Sequence, residues 1–156
     1  MPMAGGCPAD DEGRARQSIR EDVCVKVFRL EEASALLPVL RPLIEDLVCK
    51  RRDLAIKLLE AQTAKLMISD AGGAQRAAVQ DRQAQELQAE LVVLIERIQS
   101  HGCVVKDLDL GLLDFPALRG GQLVNLCWKM DEAEIGFWHG IDEGFASRKS
   151  ISRRRK

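Results

Sequence analysis

The apolar positions between residues 30 and 101 recur every three or four residues, which is the period of an amphipathic α-helix. They fall into two stripes that the Gly72-Gly73 pair separates, and His101-Gly102 follows the second stripe. The first stripe comprises Leu36, Leu40, Leu43, Leu47, Leu54, Leu58, Ala61, Lys65 and Ile68. The second stripe comprises Ala84, Leu87, Leu91, Leu94 and Ile98. Because glycine ends helices and forms tight turns easily, the pattern predicts a helical hairpin.

Two prolines, Pro38 and Pro42, interrupt the first stripe. Because each lacks a backbone donor, we expect a kink or a short first helix that ends before Pro38, then a main helix to about Asp70. At ~1.5 Å per residue the main helix would be roughly 50 Å long and its partner roughly 40 Å. Two helices bury only one face against each other, so we expect the hairpin to form a homo-oligomer with coiled-coil packing.

On either side of the hairpin, apolar and polar residues alternate, as they do in half-buried strands. Val23, Val25 and Val27 predict a short leading strand. After the hairpin we expect one strand that runs into a loop, then strands at 112–118, broken by Pro116, at 123–130 and at 134–138. The sequence thus predicts an α+β fold: a long antiparallel helical hairpin with a short leading strand and a small C-terminal antiparallel β-meander.

The two ends of the chain lack this patterning. We expect residues 1–22 to be a disordered N-terminal tail, residues 23–147 a single domain, and residues 148–156 a solvated basic tail. The last nine residues hold six of the 23 Lys and Arg and none of the 24 Asp and Glu, so residues 1–147 carry a formal charge of −7. That charge disfavours a nucleic-acid surface and suits a cation site.

The cysteines and the apolar runs bear on location. The five cysteines are odd in number and scattered, without a C-x-x-C pair, which predicts reduced thiols. No uninterrupted apolar run approaches the ~18 residues of a membrane span. The segment Ala4-Gly5-Gly6-Cys7 is similar to a lipoprotein cleavage box but lacks the preceding apolar region. We therefore expect a cytoplasmic protein that does not bind a membrane.

Three carboxylates, Asp107, Asp109 and Asp114, lie within eight residues in the meander. Such oxygen ligands suit hard divalent cations such as Mg²⁺ or Mn²⁺. The segment is not an EF-hand, because Gly111 stands where the third acid of a calcium loop should be. The alternative is that Asp107 and Asp114 bond their own backbone in turns.

A second candidate segment runs from Phe137 to Phe145 and contains His139. If it were helical, Asp142 and Glu143 would share a face with His139, which allows a shared metal or a carboxylate that orients the imidazole. A histidine with a carboxylate is also the minimum for general base catalysis. The expected walls of a ligand pocket are Trp128, Trp138, Phe145 and Arg148. Alternatively, the aromatic residues anchor the core and Asp142 pairs with His139 or Arg148.

Two further residues have simpler interpretations. Cys127, beside Trp128 in a predicted strand, is expected to be a small buried hydrophobe rather than a nucleophile. His101 lies at a helix C-terminus, where the helix dipole favours a partly positive imidazole.

Several motifs occur together in the chain: Phe28-Arg-Leu-Glu-Glu-Ala-Ser-Ala-Leu-Leu-Pro38, Asp107-Leu-Asp-Leu-Gly-Leu-Leu-Asp-Phe-Pro116, Leu126-Cys-Trp128, Ile135-Gly-Phe-Trp-His139, and Asp142 followed by Gly144-Phe145 and Arg148. The set resembles family 2203 of the bacterial domains of unknown function, over roughly residues 25–148. The resemblance implies a helical hairpin followed by an acidic segment and a Trp-His segment that belong to one recurring pattern. It implies no activity. Arg29 and Leu110 depart from the family pattern, in which Thr is common at both positions.

Two functional hypotheses follow. The first is a divalent-metal or small-ligand site, whose ion could activate water for hydrolysis, formed by Asp107, Asp109, Asp114, His139 and Asp142. The second is a non-enzymatic interaction or scaffold protein that acts through self-association of the hairpin. The sequence does not establish a reaction.

Overall fold

The computed structural model describes residues 26–67 and 71–151. Helix α1 spans Leu30–Leu66 and helix α2 spans Ala71–Gln99. The strands are β1 (Val104–Asp107), β2 (Leu112–Arg119), β3 (Gln122–Lys129), β4 (Phe137–Gly140) and β5 (Lys149–Ser150), with a 3-10 turn at Phe145–Ser147. They form one antiparallel sheet in the order β1-β2-β3-β4-β5. The predicted α+β fold, with a helical hairpin and a C-terminal meander, is confirmed.

Helix α1 is continuous through Pro38 and Pro42, so the predicted break is wrong. Each proline costs the helix one backbone hydrogen bond. Leu37, Leu40 and Ile44, which flank the prolines, are at most 6% exposed and belong to the main core. Because tertiary packing of an apolar face supplies most of a helix's stability, this burial outweighs the local preference for a break.

The turn between the helices also differs from the prediction. Helix α1 ends at Leu66, whereas Gly72 and Gly73 lie in the first turn of α2 instead of the connection. The predicted end of the first helix near Asp70 falls in residues 68–70, outside the described part of the chain. Gly102 follows α2 as predicted, with a φ of +99° that a residue with a side chain rarely adopts.

The apolar stripes of the two helices meet in a core that they share with the sheet. In α2 the buried positions include four that the sequence predicts: Ala84, Leu91, Leu94 and Ile98. In α1, Leu40, Leu47, Leu54 and Ala61 are buried as predicted. Leu36 and Leu43 are only partly buried, because the next residues, Leu37 and Ile44, take the core positions. Leu58, predicted in the stripe, is 50% exposed.

The β2–β3 hairpin is closed by Gly120 and Gly121, whose φ angles of +59° and +78° are those that a two-residue type I′ turn requires. Pro116 lies inside β2 without the predicted break. Its carbonyl accepts a hydrogen bond of 2.7 Å from the Phe28 amide, so its missing donor faces the outer edge of β2 and costs no bond to β3.

The sheet has two unlike faces. The inner face packs on the helices and includes Leu113, Phe115, Leu126 and Trp128. The outer face, formed by alternate positions of the same strands, carries Asp114, Cys127 and His139. These three side chains are at most 3% exposed, and the segment after β4 contributes to their cover.

At the N-terminal end of the domain, residues 23–25 of the predicted leading strand lie outside the described residues. Phe28 forms a single parallel bridge to Ala117, and its ring packs edge-on against Phe115 at 5.3 Å between centroids.

At the C-terminal end, Arg148–Ile151 belong to the fold, because β5 pairs with β4 and the Ile151 amide donates to Gly136. Residues 148–151, which the sequence assigns to the basic tail, thus include a strand of the sheet, in which Lys149 and Ser150 are exposed. Residues 152–156 lie outside the described part. Neither of the described helices carries an apolar stretch long enough to cross a membrane.

Candidate metal centre

Three potential metal ligands converge on the outer face of the sheet. Asp114, Cys127 and His139 come from β2, β3 and β4, and their ligand atoms all lie within 4.8 Å of one another. The register explains the convergence: Asp114 is directly opposite Cys127, and His139 is opposite Asn125, two residues from Cys127 on the same face. Neighbouring strands thus place one oxygen, one sulfur and one nitrogen donor around a single buried point.

The hydrogen bonds of His139 define its protonation pattern. The ring Nδ1 lies 2.8 Å from the Gly140 carbonyl oxygen, and the ring Nε2 lies 3.0 Å from Oδ2 of Asp114. A carbonyl oxygen only accepts, so Nδ1 carries a proton and donates it. In the neutral ring, Nε2 then presents a lone pair to a carboxylate oxygen. Two such electron-rich atoms at 3.0 Å need a proton or a metal cation between them.

The second oxygen of the same carboxylate strengthens this reasoning. Oδ1 of Asp114 is buried and has no hydrogen-bond partner among the residues that the structure describes. A buried acceptor without a partner costs about 1–3 kcal/mol, and native structures rarely keep one without an ion, a water or a functional reason.

Cys127 is a thiol and not a reactive thiolate. Burial above all, and then the negative charge of Asp114, raise the pKa of the Cys127 thiol to about 12, although Arg148 acts in the opposite direction. At neutral pH the group is protonated and a poor nucleophile. A metal ion bound at this point would displace the proton and hold the thiolate.

A cavity of about 310 Å³ adjoins the three donors. Its lining consists of Lys106, Asp107, Leu112, Asp114, Cys127, His139, Glu143, Gly144 and Phe145. Lys106 and Glu143 are exposed, whereas the three donors are buried. The cavity therefore connects a charged mouth with the donor group below it.

Of the five ligands that the sequence predicts, three line the cavity and two do not. Asp107, Asp114 and His139 line the same cavity. Asp109 is exposed and lies 3.8 Å from Arg51, and Asp142 is exposed too; neither lines the cavity. The helical geometry considered for His139 and Asp142 is wrong, because His139 is in strand β4.

The alternative interpretation of the acidic segment fits Asp107 but not Asp114. Oδ1 of Asp107 accepts hydrogen bonds from the amides of Asp109 at 2.8 Å and Leu110 at 2.9 Å, which is an Asx turn. Oδ2 of Asp114 instead contacts Nε2 of His139, at 3.0 Å.

Of the four residues predicted to form pocket walls, only one lines the cavity. Phe145 lines the cavity. Trp128 is fully buried on the inner face, and its indole N–H donates to the Glu132 carbonyl at 3.0 Å. Trp138 also lies away from the cavity. Its ring contacts the cationic groups of Arg119 and Lys149.

Arg148 fastens the segment that closes the cavity. Its guanidinium lies 4.2 Å from the ring centroid of Phe137 and 4.1 Å from that of Phe145. Its Nη1 donates to Oε1 of Glu132 at 2.7 Å. The arginine is thus a support for the wall residue Phe145 and does not itself line the cavity.

Five cavity residues were absent from the predicted ligand and wall sets: Lys106, Leu112, Cys127, Glu143 and Gly144. Cys127 and Glu143 are the two of these that matter most for the site. A signal for Cys127 exists in the sequence: a two-residue turn at Gly120-Gly121 places Asp114 opposite Cys127. Glu143 follows Asp142, and only the turn after β4 decides which of the two side chains faces the cavity.

Comparison with known proteins places the chain in one family. The family described as an uncharacterized conserved protein, DUF2203, matches residues 26–151, which include both helices, all five strands and the three donors. No curated protein and no solved structure matches the chain. Since the match covers more than half of the 156 residues, the chain belongs to the DUF2203 family.

Proposed function

We propose that the protein binds a divalent transition metal through Asp114 Oδ, Cys127 Sγ and His139 Nε2. The observation that carries the proposal is the approach of Nε2 to Oδ2 at 3.0 Å while Nδ1 donates to a backbone carbonyl. A histidine that donates its other ring N–H to a backbone carbonyl is the usual arrangement of a metal ligand.

The donor set supports zinc over the hard cations that the acidic segment alone suggests. Zinc accepts sulfur, nitrogen and carboxylate ligands at about 2.0–2.3 Å, so its tetrahedral ligand atoms are about 3.3–3.8 Å apart. Here the three donor atoms already lie within 4.8 Å of one another. Small side-chain movements would complete the geometry. The charge of −7 on residues 1–147 supports a cation rather than a nucleic acid as the partner.

Three protein ligands leave one position of a tetrahedral ion open, as in catalytic zinc sites. The cavity of about 310 Å³ supplies room for that position and for a small molecule. An ion there would lower the pKa of its bound water, so hydrolysis is the reaction class we propose.

The three described cysteines are unpaired, which supports a reducing, cytoplasmic location.

The competing account has a proton instead of a metal between Asp114 and His139. The pair would then only fasten β2 to β4, at 3.0 Å and within the buried outer face. Removing either partner would cost stability in this account as well, so stability alone does not separate the two accounts.

Metal analysis of purified protein after chelator competition separates them. We expect one zinc per chain in the native protein and an affinity lower by at least about 100-fold in His139→Ala, since outer-shell changes alone cost about 10–100-fold. Three matched controls lie outside the cavity: His101→Ala for the histidine, Asp109→Asn for Asp114→Asn, and Cys49→Ser for Cys127→Ser. Zinc content that is the same in His139→Ala and His101→Ala would overturn the proposal.

We propose, as a second function, self-association through the outer side of helix α1. Ile56, Leu59 and Leu66 are 49%, 65% and 81% exposed, and with Thr63 they repeat at intervals of three and four residues. This is the spacing of a coiled-coil seam, on the side of the helix that lies away from buried Leu54 and Ala61. A second copy of the chain carries the same seam and can bury it in a two-fold symmetric contact.

Light scattering over a range of concentrations tests the seam. We expect a dimer in the native protein and a monomer in Leu59→Glu. Leu118→Glu, which changes a 62% exposed leucine at the tip of the sheet, should leave the dimer intact. A monomeric mass of the native protein at every concentration would contradict the seam.

A further inference from the structure

Glu143 folds back onto the residue that fixes the histidine ring. Its Oε2 accepts a hydrogen bond from the Gly140 amide at 2.8 Å, and its own amide donates to the Gly140 carbonyl at 3.0 Å. That same carbonyl oxygen accepts the Nδ1 proton of His139 at 2.8 Å. Gly140 is thus held on both sides, once by the carboxylate and once by the turn.

A side chain at Gly140 would crowd the carboxylate of Glu143. A Cβ at Gly140 would lie 3.3 Å from Oε2 of Glu143 and 3.4 Å from its carboxyl carbon. These distances are at or below ordinary van der Waals contact, so the absence of a side chain at Gly140 leaves room for the carboxylate of Glu143. The Lys149 ammonium, 3.5 Å away on β5, holds the same oxygen from the other side.

We infer that Glu143 is the positioning residue of this site: its carboxylate and its backbone amide together hold Gly140, whose carbonyl keeps the proton on Nδ1 of His139 and so leaves Nε2 to the metal. The inference rests on the proposed metal site, but the histidine geometry itself is independent of any ion. The carboxylate also lines the cavity, where its charge would attract a cation.

The charge of Glu143 persists at neutral pH. The Gly140 amide above all, with Lys149 and His139 adding to it, lowers the pKa of the Glu143 carboxyl from its ordinary value. A carboxylate that stays ionised is a weak general base, which suits a group that orients and does not transfer protons.

Two variants separate the hydrogen bond from the charge. Glu143→Ala removes the hydrogen bond and the charge of the carboxylate but keeps the backbone amide that donates to the Gly140 carbonyl, whereas Glu143→Gln also keeps an oxygen that can accept from the Gly140 amide. Asp142→Ala is the matched control, because it changes the neighbouring carboxylate, which is exposed and does not line the cavity.

The first measurement needs no metal. In nitrogen-15 NMR spectra of the metal-free native protein, we expect a protected Nδ1 proton on His139. It should exchange rapidly or disappear in Glu143→Ala, persist in Glu143→Gln and be unaffected in Asp142→Ala. An Nδ1 proton equally protected in Glu143→Ala and in the native protein would overturn the inference.

The second measurement is zinc affinity by chelator competition. We expect Glu143→Ala to bind about 10–100-fold more weakly than native, with Glu143→Gln in between and Asp142→Ala at the native value. Native affinity in Glu143→Ala would overturn the inference and leave the proposed metal site standing. A native protein that binds no zinc, but whose Nδ1 proton depends on Glu143, would overturn the metal site and keep Glu143 as the residue that orients the ring.

Discussion

The two faces of the sheet are formed by alternate residues of the same strands, yet they bury opposite chemistry. On the inner face, Phe115 and Trp128 pack into the core with the helices. On the outer face, Asp114 and His139 are as deeply buried, at 2% and 3% exposure, without a helix layer over them. Asp114 and Phe115 are neighbours in β2, yet the first side chain lies on the outer face and the second in the core.

This difference indicates what each face contributes. Burial of a large aromatic side chain is among the strongest stabilising effects in a protein. A buried carboxylate with one oxygen unpartnered in the described structure costs free energy instead. We therefore expect the inner face to supply most of the stability of the domain, and the outer face to give up stability for the metal site proposed above.

The largest effect on stability should come from the inner face. Phe115→Ala removes a fully buried ring and should lower the free energy of unfolding by about 3–5 kcal/mol. Urea denaturation measures it, with the exposed Leu118→Ala as control, for which a change within about 0.5 kcal/mol is expected. A loss below about 1 kcal/mol would show that the inner face is not the main source of stability.

On the outer face, stability should depend on the metal. A ligand at 100 times its dissociation constant stabilises the folded state by about 2.7 kcal/mol, and we expect zinc to do so in the native protein but not in Asp114→Asn. Asp109→Asn, outside the cavity, should respond to zinc as the native protein does. Equal stabilisation of Asp114→Asn and native by zinc would remove Asp114 from the site.

A smaller effect is expected where the segment after β4 is fastened over the outer face. Arg148→Ala loses the 2.7 Å ion pair with Glu132 and the contacts with Phe137 and Phe145. Because the arginine is only 14% exposed, we expect a loss of about 1–2 kcal/mol by urea denaturation. Arg148→Lys should recover only part of it, since an ammonium does not stack between two rings. Full recovery by lysine would mean that charge alone is involved.

The smallest effect is a pH dependence that only the outer face should show. The pKa of Glu143 is lowered in the folded protein, so its contribution is fully present above the ordinary carboxyl value of 4.5 and is lost as the pH falls through the lower folded value. The stability difference between native and Glu143→Gln should therefore shrink in acid. The deficit of Phe115→Ala should stay constant over that range, because neither phenylalanine nor alanine titrates. A Glu143→Gln difference that is unchanged by acid would contradict the assignment.

The sequence predicts much of the fold that creates these two faces, but it does not predict that Asp114, Cys127 and His139 converge. The helical period gives the hairpin, and the turn at Gly120-Gly121 sets the register that pairs Asp114 with Cys127. The position of β4 depends on the connection after β3, where the Met130 and Glu132 carbonyls accept hydrogen bonds from the Arg41 guanidinium of helix α1. These are tertiary contacts that no local period encodes. For this reason His139 and Asp114 can each be recognised as candidates, while their convergence with Cys127 cannot.

The dependence on tertiary contacts also explains which predictions from the sequence are wrong. Asp142 and Glu143 are neighbouring carboxylates, and only the direction of the side chain at the turn after β4 separates them. Asp109 lies in the Asx turn before β2, whereas Asp114 lies inside the strand. The continuous helix through Pro38 reflects burial of its neighbours, which also depends on the assembled core. Side-chain chemistry is readable from the sequence, whereas the face on which it falls depends on register.

The most direct test of the outer-face site is X-ray absorption spectroscopy at the zinc edge of the loaded native protein. The account predicts one sulfur at about 2.3 Å and nitrogen or oxygen ligands at about 2.0–2.2 Å, with loss of the sulfur shell in Cys127→Ser and its retention in Cys49→Ser. A native spectrum with only oxygen and nitrogen ligands, identical to that of Cys127→Ser, would contradict it.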